Sequence, residues 1–487
     1  MTAGSRTPGT RRRGRHIGAL TCCSGRWSSL MAVAAVSALV LLTSAVLSRA
    51  ASSPPAPRLV ATQLSNSTAG RQLRWLLQAS TRLPLSDPEL RAHFSKWFLL
   101  TPGQSPGEIN AALQTLAGPS GLHLVGLTLV QPNALVAIVM GRGAQQLLVT
   151  VVTDRTGLID VGGIRSAMPM LEATLPGPTG RAAVGTDVVE IVDHARHGRR
   201  LLLTRWYPAA SGARGRPHAA YTSPLRTALF PSARVHARSN ARARGGRLPV
   251  VLFSPGGGTP RDIYQSLAED LASHGYLVLA VDHTGETPVQ FPDGHVEGRS
   301  VPAKNPIATN AATRLADMRL ILRRLNKIAP GPRGDRRRIA AIGHSLGGST
   351  AAALMRAEPT VRAGVDMDGS IFGPASRLGV SRPFMVMFGG EGGLDPSIRG
   401  LLEHSRGPRL ALRIAGLVHF SFSDLPVSAP ASIGAPKKPS VRDIAVQRAY
   451  LRAFLDRFLL GRRSPLLEGP SPRWPQVSFS YRQRCCG

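Results

Sequence analysis

From residue 248 onward the sequence repeats one alternation, a short and almost continuous apolar run followed by a segment with helical spacing. LPVVLFS precedes RDIYQSLAEDLASHG, YLVLAVDH precedes ATRLADMRLILRRLNKI, and RRIAAIG precedes LGGSTAAALMRA. VRAGVDMDG, RPFMVMFGG and RLALRIAG add further strands, and VRDIAVQRAYLRAFLDRFLLG is a closing helix. A strand with no polar alternation has no face to offer water, so both of its faces must be covered. Such strands alternating with helices predict an α/β fold, a mostly parallel sheet with helices on each side. DVVEIVD and RLLLTRWYP, just upstream, read as a β-hairpin.

At 487 residues the chain exceeds one ordinary domain. Residues 66–175 form a separate small unit in which helical segments such as RQLRWLLQ, PELRAHFSKWFL and PGEINAALQTLAG come first. The alternating segments GLHLVGLTLV, ALVAIVM and QLLVTVVTD follow. Helices and then an antiparallel meander predict an α+β domain. His123 falls in one of these strands, as a half-buried residue and not a catalytic one. LPGPTGRAAVG, residues 175–185, reads as a linker, so the larger domain spans 186–462 and leaves 463–487 as a C-terminal tail.

Residues 1–29 hold six arginines and no acid, and the uncharged run LMAVAAVSALVLLTSAVL follows from Leu30 to Leu47. Eighteen apolar residues behind a basic flank predict a transmembrane helix or the core of a signal peptide. Either way the flank stays in the cytoplasm and everything downstream is exported, as a membrane-anchored or a secreted protein. A cleavage site is offered at Ser48-Arg49-Ala50, before Ala51, and the proline-rich residues 48–65 form a spacer.

The formal charge of +32 raises the question of nucleic acid. Only five of the 60 basic residues are lysine, the arginines are spread along the whole chain, and aromatics make up 5%. No dense basic stripe interleaved with aromatics exists, which excludes a nucleic-acid binder and leaves an anionic membrane surface as a partner. The four cysteines occur as the pairs Cys22–Cys23 and Cys485–Cys486, so the folded part uses no disulfide and no cysteine metal site. Residues 208–247 break the alternation with eight arginines and no acid. They read as a solvated insertion loop, with a basic flap at the site entrance as the alternative.

The chemistry gathers around RIAAIGHSLGGST, residues 338–350. An apolar strand runs into Gly-His-Ser-Leu-Gly and then into an alanine-rich helix, the setting of a nucleophile elbow. Gly343 and Gly347 permit the sharp turn and leave room around a serine in strained backbone. Ser345 is the candidate nucleophile. A serine needs a base, and in this architecture the chain order is Ser, acid, His. Only His404 and His419 lie downstream. His404 sits at a polar helix end, whereas His419, in GLVHFSFSD, follows the last strand and is the candidate base. For the acid, spacing leaves Asp366 and Asp368, on one strand face by period two, beside Glu391 and Asp395 after the next strand. Two backbone N–H groups are needed for an oxyanion. Leu346 follows the nucleophile, and Gly257 lies in the PGGG loop after LPVVLFS.

LPVVLFSPGGGTPRDIYQSLAEDLASHGYLVLAVDH, GHSLGGST, GVDMDGSIFG and GLVHFSFSD together resemble the platelet-activating-factor acetylhydrolase-like group of α/β-hydrolases. The resemblance covers about residues 186–461. It implies a serine esterase or lipase with no metal or other cofactor, acting on short or oxidised acyl esters of lipids. It also implies Asp368 as the acid; Asp395 is kept as the alternative that spacing leaves open. The chain departs from that group at Ser254-Pro255-Gly256, where Phe-Ser is usually followed by His-Gly. Residues 66–175 are similar to the cystatin-like or NTF2-like domains that precede some exported hydrolases. The rival expectations are a hydrolase of polyesters or small acyl esters, and a non-catalytic exported scaffold.

Overall fold

In the computed structural model, Met1 and residues 59–100, 104–167, 173–213, 216–219, 224–229, 233–300, 306–328, 333–390, 393–428 and 440–482 are described. The apolar run at 30–47, Glu391 and both cysteine pairs lie outside these residues. Among the described residues no helix is long and apolar enough to cross a membrane.

Among the described residues the N-terminal unit has four helices, α1 (Thr68–Ala79), α2 (Asp87–His93), α3 (Lys96–Leu99) and α4 (Pro106–Ala117). Each begins at a serine whose hydroxyl accepts a free N–H of the first turn, Ser67, Ser86, Ser95 and Ser105 in order. The meander β1 (His123–Gln131), β2 (Ala134–Met140), β3 (Gln146–Thr153) and β4 (Ile159–Ser166) pairs antiparallel in chain order. Its inner face meets the helices through Leu73, Leu90, Ile109, Leu127, Ala137 and Val149.

The second sheet holds β5 (Ala173–Thr174), β6 (Val184–Asp193), β7 (Arg199–Pro208), β8 (Arg216–Ala219), β9 (Ala233–Ser239), β10 (Arg247–Ser254) and β11 (Leu277–Asp282). A two-stranded ribbon, β12 (Val289–Gln290) with β13 (Val296–Glu297), stands apart. The large sheet continues with β14 (Arg333–His344), β15 (Val361–Met367), β16 (Phe384–Phe388), β17 (Arg409–Ile414) and β18 (Val477–Arg482). Its order is β18-β17-β16-β15-β14-β10-β11-β7-β6-β9-β5, with β8 on β9. The six strands from β17 to β11 are parallel, whereas β18 runs antiparallel to β17 at one end, and beyond β11 the strand β7 runs antiparallel both to β11 and to its hairpin partner β6. The sheet is therefore mixed around a parallel centre.

The helices that matter here are α5 (Pro224–Leu229), α6 (Gln265–Ser273), α7 (Pro306–Ile328), α8 (Leu346–Ala357), α9 (Pro396–His404) and α10 (Val441–Leu460). Successive side chains of a strand point to opposite faces, and β10 shows the consequence. Val251 and Phe253 join Leu271 of α6 and Phe454 of α10 in one core, while Val250 and Leu252 join Ile321 of α7 and Ala352 of α8 in the other. Both faces are covered, which is why the strands read as unbroken apolar runs.

Three segments differ from the sequence reading, the first being Ala173–Thr174, read with the small domain but paired with β9 in the large sheet. Residues 208–247 are not a solvated loop. They supply β8, α5 and β9, and β9 runs parallel to β6 within the main sheet. Leu225 and Ala228 of α5 are buried with Leu129, Val136 and Ile138 of the meander. Arg165 of β4 donates to the Ala228 carbonyl at 2.9 Å. The arginines of this stretch mask a helix whose apolar side joins the two sheets. Likewise residues 477–482, read as tail, form β18 beside β17. Their alternation VSFSYR has one polar face, as suits an edge strand.

Candidate active site

Gly343 and Gly347 stack at the end of β14, and a Cβ on Gly343 would meet the Gly347 backbone at 2.2 Å. The chain can reverse here only without side chains at both positions. Between them Ser345 takes φ 56° and ψ −123°, a conformation costly for any residue with a Cβ, before α8 begins at Leu346. The strain is held by the Ser345 N–H, which donates to the Met367 carbonyl at 2.9 Å. The Ser345 residue is 4% exposed. Leu346, as the first residue of the helix, has an N–H that the helix does not use.

Asp368 follows β15 in a second left-handed turn, with φ 57°. Its N–H donates to Met387 O at 2.7 Å, and its Oδ1 accepts the Gly389 N–H at 2.8 Å. Oδ2 accepts the His419 Nδ1–H at 2.7 Å. That bond fixes the tautomer of His419 and leaves Nε2 as the basic nitrogen. Burial works to raise the Asp368 carboxyl, yet the bond from His419, its charge and the Gly389 N–H outweigh burial and hold it below its ordinary value.

Asp366 does not share the surroundings of Asp368, although period two puts them on one face. The left-handed turn carries Asp368 out of the strand, whereas Asp366 stays inside it against α8, where a Cβ on Gly348 would lie 1.6 Å from Asp366 Oδ1. Full burial and the charge of Asp368 raise the Asp366 carboxyl well above its ordinary value. Asp395 caps α9, accepting from Ser397 N–H at 2.8 Å and from Ser370 Oγ at 3.1 Å. His404 is exposed at the end of α9.

Sequence reasoning missed the support of this site by His344 and Tyr264. The Tyr264 hydroxyl lies 2.9 Å from His344 Nδ1, and His344 Nε2 lies 2.9 Å from the His419 carbonyl. The two imidazoles are 4.6 Å apart between ring centres. Burial, with the charge of His419 added, pushes His344 down to about 3, so the ring stays neutral. It donates from Nε2 to the carbonyl and accepts at Nδ1 from the tyrosine. Burial raises Tyr264 to about 12, which keeps its hydroxyl proton in place. The signal was present in Gly-His-Ser itself, but the motif alone does not say where the imidazole points.

A lowered histidine has a stability signature. Above its ordinary value of 6.5 His344 takes no proton in either state, and its contribution is fully present. Between about pH 6 and 4 the unfolded chain binds a proton there and the folded chain does not. Stability then falls with falling pH by about 1.4 kcal/mol per unit from this group. His344→Asn is expected to remove that much of the slope in urea unfolding measured from pH 6 to 4. An unchanged slope would mean that His344 is protonated when folded.

Residues 251–481 match the model of the alpha/beta hydrolase family, and residues 205–290 match that of platelet-activating factor acetylhydrolase, isoform II. A probable 1-alkyl-2-acetylglycerophosphocholine esterase of Arthroderma benhamiae is 27% identical over 365 residues, 63% of this chain and 93% of that one. The platelet-activating factor acetylhydrolase of Cavia porcellus is 25% identical over 180 residues, 30% of this chain and 40% of its own length. The solved ferulic acid esterase from Streptomyces cinnamoneus has 32% identity and a TM-score of 0.57, covering 63% of this chain and 99% of that structure. The chain belongs to the α/β-hydrolases and is similar to their platelet-activating-factor acetylhydrolase-like group. This α/β-hydrolase is a carboxylic-ester hydrolase, and the elbow, the acid turn and the histidine loop lie at the carboxyl ends of β14, β15 and β17, where open α/β sheets hold their ligands.

Proposed function

We propose that the chain is an exported serine esterase working through Ser345, His419 and Asp368 and through a covalent acyl-enzyme. Ser345 Oγ attacks the ester carbonyl while His419 Nε2 takes its proton. The tetrahedral oxyanion is held by the N–H groups of Leu346 and Gly257. On collapse the C–O bond to the alcohol breaks and His419 returns the proton to the leaving oxygen. Water, deprotonated by His419, then attacks the acyl-serine, and the acid leaves with Ser345 and His419 restored. Asp368 holds the imidazole and stabilises the imidazolium. The observation that carries this reading is the 2.7 Å bond between His419 Nδ1 and Asp368 beside a serine in strained backbone.

The substrate class is an acyl ester with a short chain on a lipid, supported by the activity for which the fungal relative is named. The ferulic acid esterase supports a second substrate, an aromatic acyl ester of a small alcohol. Purified protein is expected to hydrolyse p-nitrophenyl acetate, and the rate should fall with chain length towards the palmitate. A 1-alkyl-2-acetyl glycerophosphocholine and methyl ferulate then separate the two substrates. Absence of hydrolysis on every ester would favour the scaffold alternative.

Export rests on the arginine-led apolar run at 30–47, and the net charge of +32 favours residence at an anionic membrane surface. A periplasmic phosphatase fused after residue 58 should be active in a bacterial host. An inactive fusion would place the enzyme in the cytoplasm.

A further inference from the structure

The loop after β10 carries Gly257 and is held from two sides: the Gly256 carbonyl accepts from Thr259 N–H at 3.2 Å and from Thr259 Oγ1 at 3.0 Å within the loop, and α7 supplies a buried arginine. Arg314 of α7 is 1% exposed and spends all five of its N–H groups inside the protein. Nε lies 2.8 and 3.0 Å from the two oxygens of Glu286, and Nη2 lies 2.5 Å from Glu286 Oε2. Nη1 reaches Pro255 O at 2.6 Å and Ser254 Oγ at 3.2 Å. Nη2 also reaches Gly256 O at 2.9 Å. Two successive carbonyls of the loop are thus drawn towards one guanidinium.

A trans peptide is planar, and its N–H points opposite to its C=O. The Pro255–Gly256 peptide obeys this visibly. Its carbonyl faces Arg314, while the Gly256 N–H donates to the Tyr264 hydroxyl at 3.2 Å, on the side of His344. The next peptide has its carbonyl on Arg314 as well, so the Gly257 N–H is turned to the side away from α7. The elbow is there. A Cβ on Gly347 would lie 1.9 Å from Ser254 O, and one on Gly256 would lie 3.1 Å from His344 Nδ1.

We propose that Arg314, braced by Glu286, is the positioning residue of the oxyanion loop, fixing the Gly257 N–H towards Ser345 through the carbonyls of Pro255 and Gly256. This rests on the catalytic reading of Ser345 given above. Pro255 suits the arrangement, since it has no N–H to compete and its φ is fixed in advance. Arg314 never touches the substrate. Its effect is on the geometry of a donor that works only on the tetrahedral species.

Two variants test this with p-nitrophenyl acetate and a trifluoromethyl ketone, which forms an oxyanion adduct on a serine. Arg314→Lys keeps the charge opposite Glu286 but cannot span two carbonyls. Arg314→Met combined with Glu286→Leu removes the buried pair without leaving a lone charge. In both, kcat should fall about 10- to 100-fold, part of the 10²- to 10³-fold cost of losing an oxyanion donor, with KM within about threefold. Ketone affinity should weaken by the same factor as kcat/KM. A folded variant with kcat within twofold of wild type overturns the proposal, as does a loss of kcat with ketone affinity unchanged. Failure of both variants to melt cooperatively would make Arg314 a structural residue and overturn it too. If Ser345→Ala keeps full activity, the catalytic reading itself has failed, whatever Arg314 does.

Discussion

Replacing Ser345 by alanine is expected to lower kcat on p-nitrophenyl acetate by about 10⁴-fold or more, with little change in KM. That corresponds to about 5 kcal/mol or more of lost transition-state stabilisation. The effect is large because the Cβ of Ser345 is aimed by the turn at φ 56°, where alanine leaves the fold intact and supplies no nucleophile. His419 and the N–H groups of Leu346 and Gly257 would still bind the ester. The residual rate would therefore exceed that in water while forming no acyl-enzyme. Trapping separates the two states. Wild-type protein should gain the mass of an organophosphonate at Ser345, and the alanine variant should gain none. Labelling elsewhere with full activity in the variant would move the nucleophile to another residue.

The second large effect belongs to the acid. Asp368→Asn is expected to lower kcat by about 10³- to 10⁴-fold, because an amide facing His419 Nδ1 favours the wrong tautomer. Asp395→Asn should change kcat by less than about threefold. Its carboxylate caps α9 through Ser397 and accepts from Ser370, and asparagine caps a helix as well as aspartate does. Both variants should be compared at one pH on the same ester. A severe loss in Asp395→Asn with Asp368→Asn near wild type would reverse the assignment of the acid.

These two carboxylates show how far the sequence carries. Strand periodicity puts Asp366 and Asp368 on the same face and gives no reason to separate either from Asp395. The distinction arises from one positive φ at residue 368, which turns that carboxylate towards His419 and leaves Asp366 inside against α8. Aspartate is among the residues that tolerate such a φ, so its type permits the turn without announcing it. Family resemblance singled out Asp368; local spacing did not. The elbow was different. Its glycines sit on either side of the serine, and the strand and helix it needs are its immediate neighbours in the chain.

The basic stretch 208–247 was misread for a related reason. Eight arginines without an acid describe a solvated loop as long as the stretch is considered alone. Leu225 finds its partners in the meander, and β9 finds its own in β6. Neither contact leaves a periodic mark within a segment of six or seven residues.

The sequence by itself determined the parallel centre of the sheet, the elbow at Ser345 and the position of His419 after the last parallel strand. Each follows from hydrophobic period, glycine spacing or chain order, all of which act over a few residues. Only the tertiary structure decided that β18 extends the sheet, that α5 joins the two units, and that Arg314 grips the Gly256 carbonyl across 58 residues of sequence. A buried guanidinium must satisfy its donors wherever acceptors happen to converge, and that convergence exists only once the helices are packed on the sheet.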